Sequence, residues 1–268
     1  MTSSPDAGSL TRGVLLLRLL ATAGSRGLAL TEIAARSALP HPSAHRVLKQ
    51  LTAERLVEHH PQSRRYRLGP LTFELGLAGS TMFDIRDLCR HDMATLAAST
   101  ADTVYLVARS GFDAVCVDRV EGSFPIRTLV LEVGSRRPLG VGAGGLAVLA
   151  AIDTDERQEI IERVSPLLPQ FAGLDTAALE RACEEAQQFG AAVVRGTVNL
   201  GVSAVGVAFR DPLGQAVGAL SVAAMAQRLP ARRMREIARQ LQAACRGVEQ
   251  RLRAHKRGGW QAGSRAEI

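Results

Sequence analysis

The sequence holds only four cysteines in 268 residues, and they are scattered. Cys89, Cys116, Cys183 and Cys245 form no C-x-x-C pair and stand near no histidine at metal-ligand spacing. That excludes a disulfide framework or a zinc-finger pattern and predicts reduced, mostly buried thiols. No metal and no cofactor are expected. No apolar run approaches the ~20 residues that cross a bilayer. The opening MTSSPDAGSLTRG lacks the basic-then-apolar order of a signal peptide. The expectation is a soluble, cytoplasmic protein with no membrane partner. A catalytic constellation is missing as well. Gly201-Val202-Ser203-Ala204-Val205-Gly206 falls one residue short of a G-x-S-x-G elbow. Four of the six histidines, His41, His45, His59 and His60, lie in a basic N-terminal stretch, with His91 on a predicted helix and His255 near the end. Asp102, Asp113 and Asp118 fall at strand ends or turns, where solvated acids are common. No catalytic residue is assigned and no enzyme is expected; a hydrolase built on Ser203 is the alternative of another class.

What is present is a large apolar fraction, 46%, enough for a sizeable core. Charge is unevenly placed. Residues 1–80 carry 10 Lys and Arg against 5 Asp and Glu, residues 81–226 carry 12 against 18, and residues 227–268 carry 11 against 3. An acidic middle between basic ends suggests a dedicated polyanion-binding end and a separate body.

The stretch Thr31–Leu56 organises the basic end. Thr31 is a candidate N-cap for a first short helix containing Ile33, Ala34 and Ala35. Ala38-Leu39-Pro40 breaks that helix, and Pro42 suits the first turn of a second. There Ala44, Val47, Leu48 and Leu51 share one face, while Ser43, His45, Arg46, Lys49 and Gln50 occupy the other. A buried stripe backed by a polar, cationic face fits the DNA major groove. Two strand-like runs around Pro61-Gln62-Ser63-Arg64-Arg65 then predict a basic hairpin, with Arg64 and Arg65 at its tip for phosphates or the minor groove. Ahead of both, Leu10–Ala23 predicts a helix apolar over enough of its girth to be buried on two sides, against the motif helices and against a partner chain. Helix-turn-helix followed by hairpin is a winged helix-turn-helix, and double-stranded DNA is the partner it predicts.

The residues Leu39-Pro40 through Ala44-His45-Arg46-Val47-Leu48, with Arg65-Tyr66-Arg67-Leu68-Gly69 closing the wing, resemble the IclR family of bacterial transcription regulators. The resemblance implies an α+β protein of two domains: a winged helix-turn-helix over residues 9–69, a linker helix over 70–80, and a GAF-like effector-binding and oligomerisation domain over 81–254. Residues 255–268 are expected to form a mobile basic tail. It also implies homodimers pairing as dimers of dimers, a near-palindromic operator, and most often a repressor of a catabolic operon; an activator of the same architecture is the alternative. His41-Pro42 departs from the family pattern, where a basic or polar residue and then Ser or Thr are more common.

In the acidic body the pattern predicts a helix over Asp84–Ser99, then strands over Thr103–Arg109, Ala114–Val120 and Ile126–Val133. Helices are predicted within Ala143–Val164 and over Asp175–Phe189. Strands return at Ala192–Arg195, Ala204–Arg210 and Ala216–Ala223, before a closing helix from Pro230 to Ala254. Gly140, Gly142 and Gly145 satisfy G-x-G-x-x-G, but no parallel βαβ unit surrounds them, so a dinucleotide site is rejected. Glycines at a helix N-terminus still favour close approach and an anion. By the family match, the backbone of Ala143 and Gly144 faces an effector, Ile126 and Leu129 form an apolar wall, and Ala204 and Ser221 lie across the pocket. The implied effector is a small organic acid with one carboxylate and an apolar body, an aromatic ring being one candidate.

Overall fold

The computed structural model describes residues 8–78, 81–126, 128–171, 173–196 and 201–262. The chain divides into two compact units between Phe83 and Asp84. The first contains α1 (Ser9–Ala23), β1 (Leu28–Ala29), α2 (Leu30–Ser37), α3 (His41–Ala53), β2 (Val57–His60), β3 (Arg65–Leu68) and α4 (Pro70–Ala78). Leu16, Leu20, Ile33, Val47, Leu48, Val57 and Tyr66 form its core. The small sheet has the order β1-β3-β2.

Thr31 is not the N-cap of α2. Ala29 is, and Glu32 explains why: its carboxylate accepts the Ala29 N–H at 2.7 Å. Ala29 is also registered opposite Arg65 in the β1–β3 pair, so the helix starts where the strand stops. Ala38 ends α2 in a left-handed conformation (φ 54°), and Pro40 caps α3 with Pro42 in its first turn. Of the two sides on which α1 is expected to be buried, this single chain holds the one against the motif helices. Within this chain one face is buried, through Leu16 and Leu20, while Leu10 is 81% exposed and Val14 38%. On α4, Phe73 and Leu75 are exposed as well.

The second unit contains most of α5 (Thr81–Thr100), then β4 (Thr103–Ser110), β5 (Asp113–Val120), β6 (Arg136–Pro138), α6 (Ala143–Ala150), α7 (Thr154–Val164) and α8 (Thr176–Phe189). It ends with β7 (Ala192–Arg195), β8 (Val202–Arg210), β9 (Ala216–Met225) and α9 (Ala231–Ala262). Six strands form one sheet in the order β6-β5-β4-β9-β8-β7, with every neighbouring pair antiparallel. Side-chain alternation gives each face its own core. Val104, Leu106, Leu220 and Val222 pack with Cys89 and Met93 of α5 and with Ile237 and Leu241 of α9. On the other face, Val107 and Ala219 pack with α6, α7 and α8. Asp102, almost wholly buried, accepts from Arg228 at 3.0 Å and Arg233 at 2.8 Å and so ties the start of β4 to the start of α9.

Two further expectations change. The predicted strand Ile126–Val133 is irregular over its described residues, and β6 takes the sheet edge instead. Side chains satisfy its backbone in place of a ladder. Tyr105 Oη donates to Thr128 O (2.5 Å) and accepts from Val130 N (3.0 Å), Arg137 donates to Val130 O (2.7 Å), and Arg119 donates to Leu131 O (3.1 Å). At the other end, α9 runs past Ala254 to Ala262, so the first part of the predicted mobile tail is helical; residues 263–268 lie outside the described residues. Among the described residues no helix is long and apolar enough to cross a membrane.

Candidate nucleic-acid interface and ligand cavity

Ala44, Val47 and Leu48 anchor α3 in the core, so the residues opposite them must face outward. His45, Arg46, Lys49 and Gln50 are exposed, and Ser43 is half-buried. At 3.6 residues per turn, Pro42, Arg46 and Lys49 lie farthest from the buried stripe. Ser43 and Gln50 share one flank, where Gln50 Oε1 stands 3.5 Å from the Ser9 hydroxyl of α1. The α3 sequence has no acidic residue. Among the described residues, neither Arg46 nor Lys49 has an acidic partner. The same holds for Arg64, exposed at the hairpin tip in a left-handed conformation (φ 53°). These three cations are free to meet phosphates.

Arg65 is placed differently from its neighbour. Its guanidinium is 2.7 Å from the Glu32 carboxylate, and its Nε donates to the carbonyls of Arg26 and Gly27. It holds the wing to α2 rather than projecting from the tip. The Glu32 carboxyl is pulled below the usual carboxylate range, foremost by the Ala29 N–H bond and then by Arg65.

In the second unit, α6 begins directly over the sheet. Gly206 on β8 makes that approach possible, since a Cβ there would overlap the Ala143 carbonyl. At Gly144 a Cβ would lie 2.7 Å from a Val107 methyl and 3.5 Å from Ser221 Oγ. The first i→i−4 bond of α6 runs from Leu146 N to Gly142 O, so the N–H groups of Ala143, Gly144 and Gly145 precede it. Gly142 through Gly145 border a cavity of about 50 Å³, with room for a few water-sized groups. The sheet supplies its floor: Tyr105 and Val107 from β4, Ala114 from β5, Ser221 and Ala223 from β9, and Val202, Ser203 and Ala204 from β8. Register explains the set, because Tyr105 pairs with Ser221, and Val194, Ala204 and Ala223 form one row across three strands.

Of the six residues anticipated for an effector, Ala143, Gly144, Ala204 and Ser221 are brought together here. Ile126 and Leu129 are not. They are 57% and 47% exposed, and the apolar wall is made by Val130 and Leu131. Loss of the strand explains the exchange, since the alternation that pointed Ile126 inward does not exist in this segment.

Sequence reasoning missed Tyr105 and Arg137. Both are visible only through strand alternation. On β6, Arg136 turns to Asp113 (2.9 Å) and Ser110, whereas Arg137 lines the cavity beside its strand partner Ala114. Burial pushes the Arg137 pKa down and the Tyr105 phenol up. Arg137 is the one charged residue of the described lining. Every fully enclosed side-chain polar atom among the described residues has a hydrogen-bond partner. The hydroxyls of Ser203 and Ser221, on residues only 3% and 6% exposed, have none among those residues and are reached from the cavity.

Comparison with known proteins bears on the family and the two-domain architecture. Residues 9–61 match the IclR helix-turn-helix domain, and residues 80–250 match the C-terminal domain of bacterial IclR transcriptional regulators. The glycerol operon regulatory protein of Streptomyces griseus is 32% identical over 224 residues, covering 82% of this chain and 86% of its own. The transcriptional repressor AllR of Escherichia coli K12 is 27% identical, covering 83% and 82%. Among solved structures, an IclR regulator from Alicyclobacillus acidocaldarius superposes with a TM-score of 0.72 at 25% identity, covering 92% of this chain and 99% of that one. An IclR homologue from Microbacterium hydrocarbonoxydans, complexed with 4-hydroxybenzoate, gives 0.71 at 25% identity, covering 92% and 100%.

Proposed function

The chain belongs to the IclR family of bacterial transcriptional regulators, and from that premise we propose that it is a repressor whose hold on its operator is set by a small organic acid. The observation that carries the DNA-binding part is the outward face of α3 and the wing, where Arg46, Lys49 and Arg64 stand without acidic partners among the described residues. Those cations meet phosphates, while Ser43, His45 and Gln50 are placed to read base edges in the major groove. Arg65 acts through the wing's attachment to α2. A homodimer, pairing further into a dimer of dimers, presents two such faces to a near-palindromic site. Repressor names among the relatives favour repression over activation.

The cavity under α6 is the effector site in this reading. Its size in this structure admits a small acid; an aromatic body of the kind bound by the Microbacterium relative requires the segment around Thr128–Leu131 to move outward. That segment is tied to the sheet by Tyr105, Arg119 and Arg137 rather than by a ladder, so a local opening suffices. The acid changes operator affinity only to the extent that it binds the DNA-competent and incompetent arrangements unequally. No catalytic role is assigned: Ser203 lies within β8, not at a strand-to-helix elbow.

The test is recovery of bound fragments from genomic DNA, followed by footprinting. A protected near-palindrome, with the two halves spaced by about one helical turn, supports the reading. Enrichment of no sequence over bulk DNA contradicts it.

A further inference from the structure

We infer that Arg137 is the residue that makes the cavity select an acid over its neutral isostere, by gripping the effector carboxylate against the start of α6. This rests on the organic-acid reading above and names the group that would enforce it.

Three observations converge. The Arg137 guanidinium lines the cavity and spends one Nη2–H on Val130 O at 2.7 Å; among the described residues it has no carboxylate partner. A guanidinium carries five N–H donors, so four are left without a partner among the described residues. Its Nη1 lies 3.8 Å from where a Cβ on Gly142 would stand, which sets the cation beside the N-cap of α6. Finally, Ser221 Oγ, on a residue 94% buried, has no partner among the described residues and lies 3.5 Å from the Cβ position of Gly144. Cation, helix N-terminus and hydroxyl all border the same small volume.

The chemistry of such a site is one-sided. A carboxylate offers two acceptor oxygens and a negative charge, matching the fork of a guanidinium. A carboxamide turns an NH₂ toward one of those donors and brings no charge. The Ser203 and Ser221 hydroxyls can donate or accept, so they serve an acid and its amide alike; apart from the glycines, the rest of the lining is valine, alanine, leucine and the tyrosine ring, which holds the body of a ligand. Discrimination by charge therefore falls to Arg137. Arg136, one residue earlier, already has Asp113 as its carboxylate, so adjacent arginines on β6 divide between structure and recognition.

The test uses full-length protein and a panel of propanoate, butanoate, benzoate and phenylacetate, each paired with its carboxamide. Thermal shift and calorimetry are read for the unaltered protein, Arg137→Gln and Arg137→Lys. Gln keeps a donor for Val130 O but no charge; Lys keeps the charge without the fork. The expected result is that at least one acid raises the melting temperature of the unaltered protein more than its amide does. Arg137→Gln then loses about tenfold or more in affinity for that acid but not for the amide, while Arg137→Lys retains a preference for the acid. If an acid binds the unaltered protein and Arg137→Gln equally well, the inference fails and the organic-acid reading stands. If the amides stabilise the protein and none of the acids does, both fail.

Discussion

Tyr105 and Val130 are joined by a hydrogen bond that replaces a strand pair: the Val130 N–H donates to the Tyr105 phenol oxygen at 3.0 Å, while the same hydroxyl donates to Thr128 O at 2.5 Å. One buried side chain thus satisfies two backbone groups of the cavity wall. Tyr105→Phe keeps the ring and removes both bonds. It should cost about 1–3 kcal/mol, the penalty for leaving such groups unmade. Hydrogen exchange at Val130 should quicken by more than at β9, which does not depend on this hydroxyl; equal exchange rates at both places would show that the wall has another support.

A second prediction concerns Gly206. Since an added Cβ would overlap the Ala143 carbonyl, Gly206→Ala must push α6 off the sheet. Overpacking of this kind costs about 1–3 kcal/mol. Thermal unfolding should show the loss, and binding of any stabilising acid should weaken with it. An alanine variant as stable as the parent would mean that α6 is not seated as described.

Glu32 makes the winged unit sensitive to acid. Its folded-state pKa lies below the unfolded value because the Ala29 N–H and Arg65 favour the carboxylate. The stabilisation is therefore fully present above the unfolded carboxylate pKa of about 4.3 and is lost as pH falls through the lower folded value. Glu32→Gln should melt below the parent at pH 7, with the gap closing in acid. A gap that stays constant with pH would place the effect elsewhere.

The thiols give a simple check on the second unit. Burial pushes Cys89, Cys116 and Cys245 up to about 12 and Cys183 up to about 11. At pH 8 almost no thiolate exists in the folded protein, so a thiol-specific chromogenic reagent should react negligibly until denaturant is added, whereupon four equivalents react. Rapid reaction of one thiol in the native protein would contradict its burial.

Much of this was legible in the sequence because periodicity and turn chemistry agree with tertiary packing there. The α3 stripe of Ala44, Val47 and Leu48, the break at Leu39-Pro40, and the glycines before α6 each state locally what the fold does globally. Ile126–Val133 was not legible, because its apolar, β-branched run reads as a strand, while the decision belongs to Tyr105, Arg119 and Arg137 from elsewhere in the chain. The roles of Arg64 and Arg65 were hidden for a similar reason: adjacent and chemically identical, they are separated only by Glu32, thirty-odd residues away. The role of Arg137 depended on the facing of a three-residue strand that no local pattern marks.

The central claim is that α3 and the wing tip hold DNA through Arg46, Lys49 and Arg64. Its most direct test is the salt dependence of binding to the recovered operator, measured for the parent, Arg46→Ala and Arg64→Ala. The account predicts that each variant binds more weakly and that the slope of log affinity against log salt falls by about one for each half-site contact removed. Unchanged affinity and slope in both variants would contradict it.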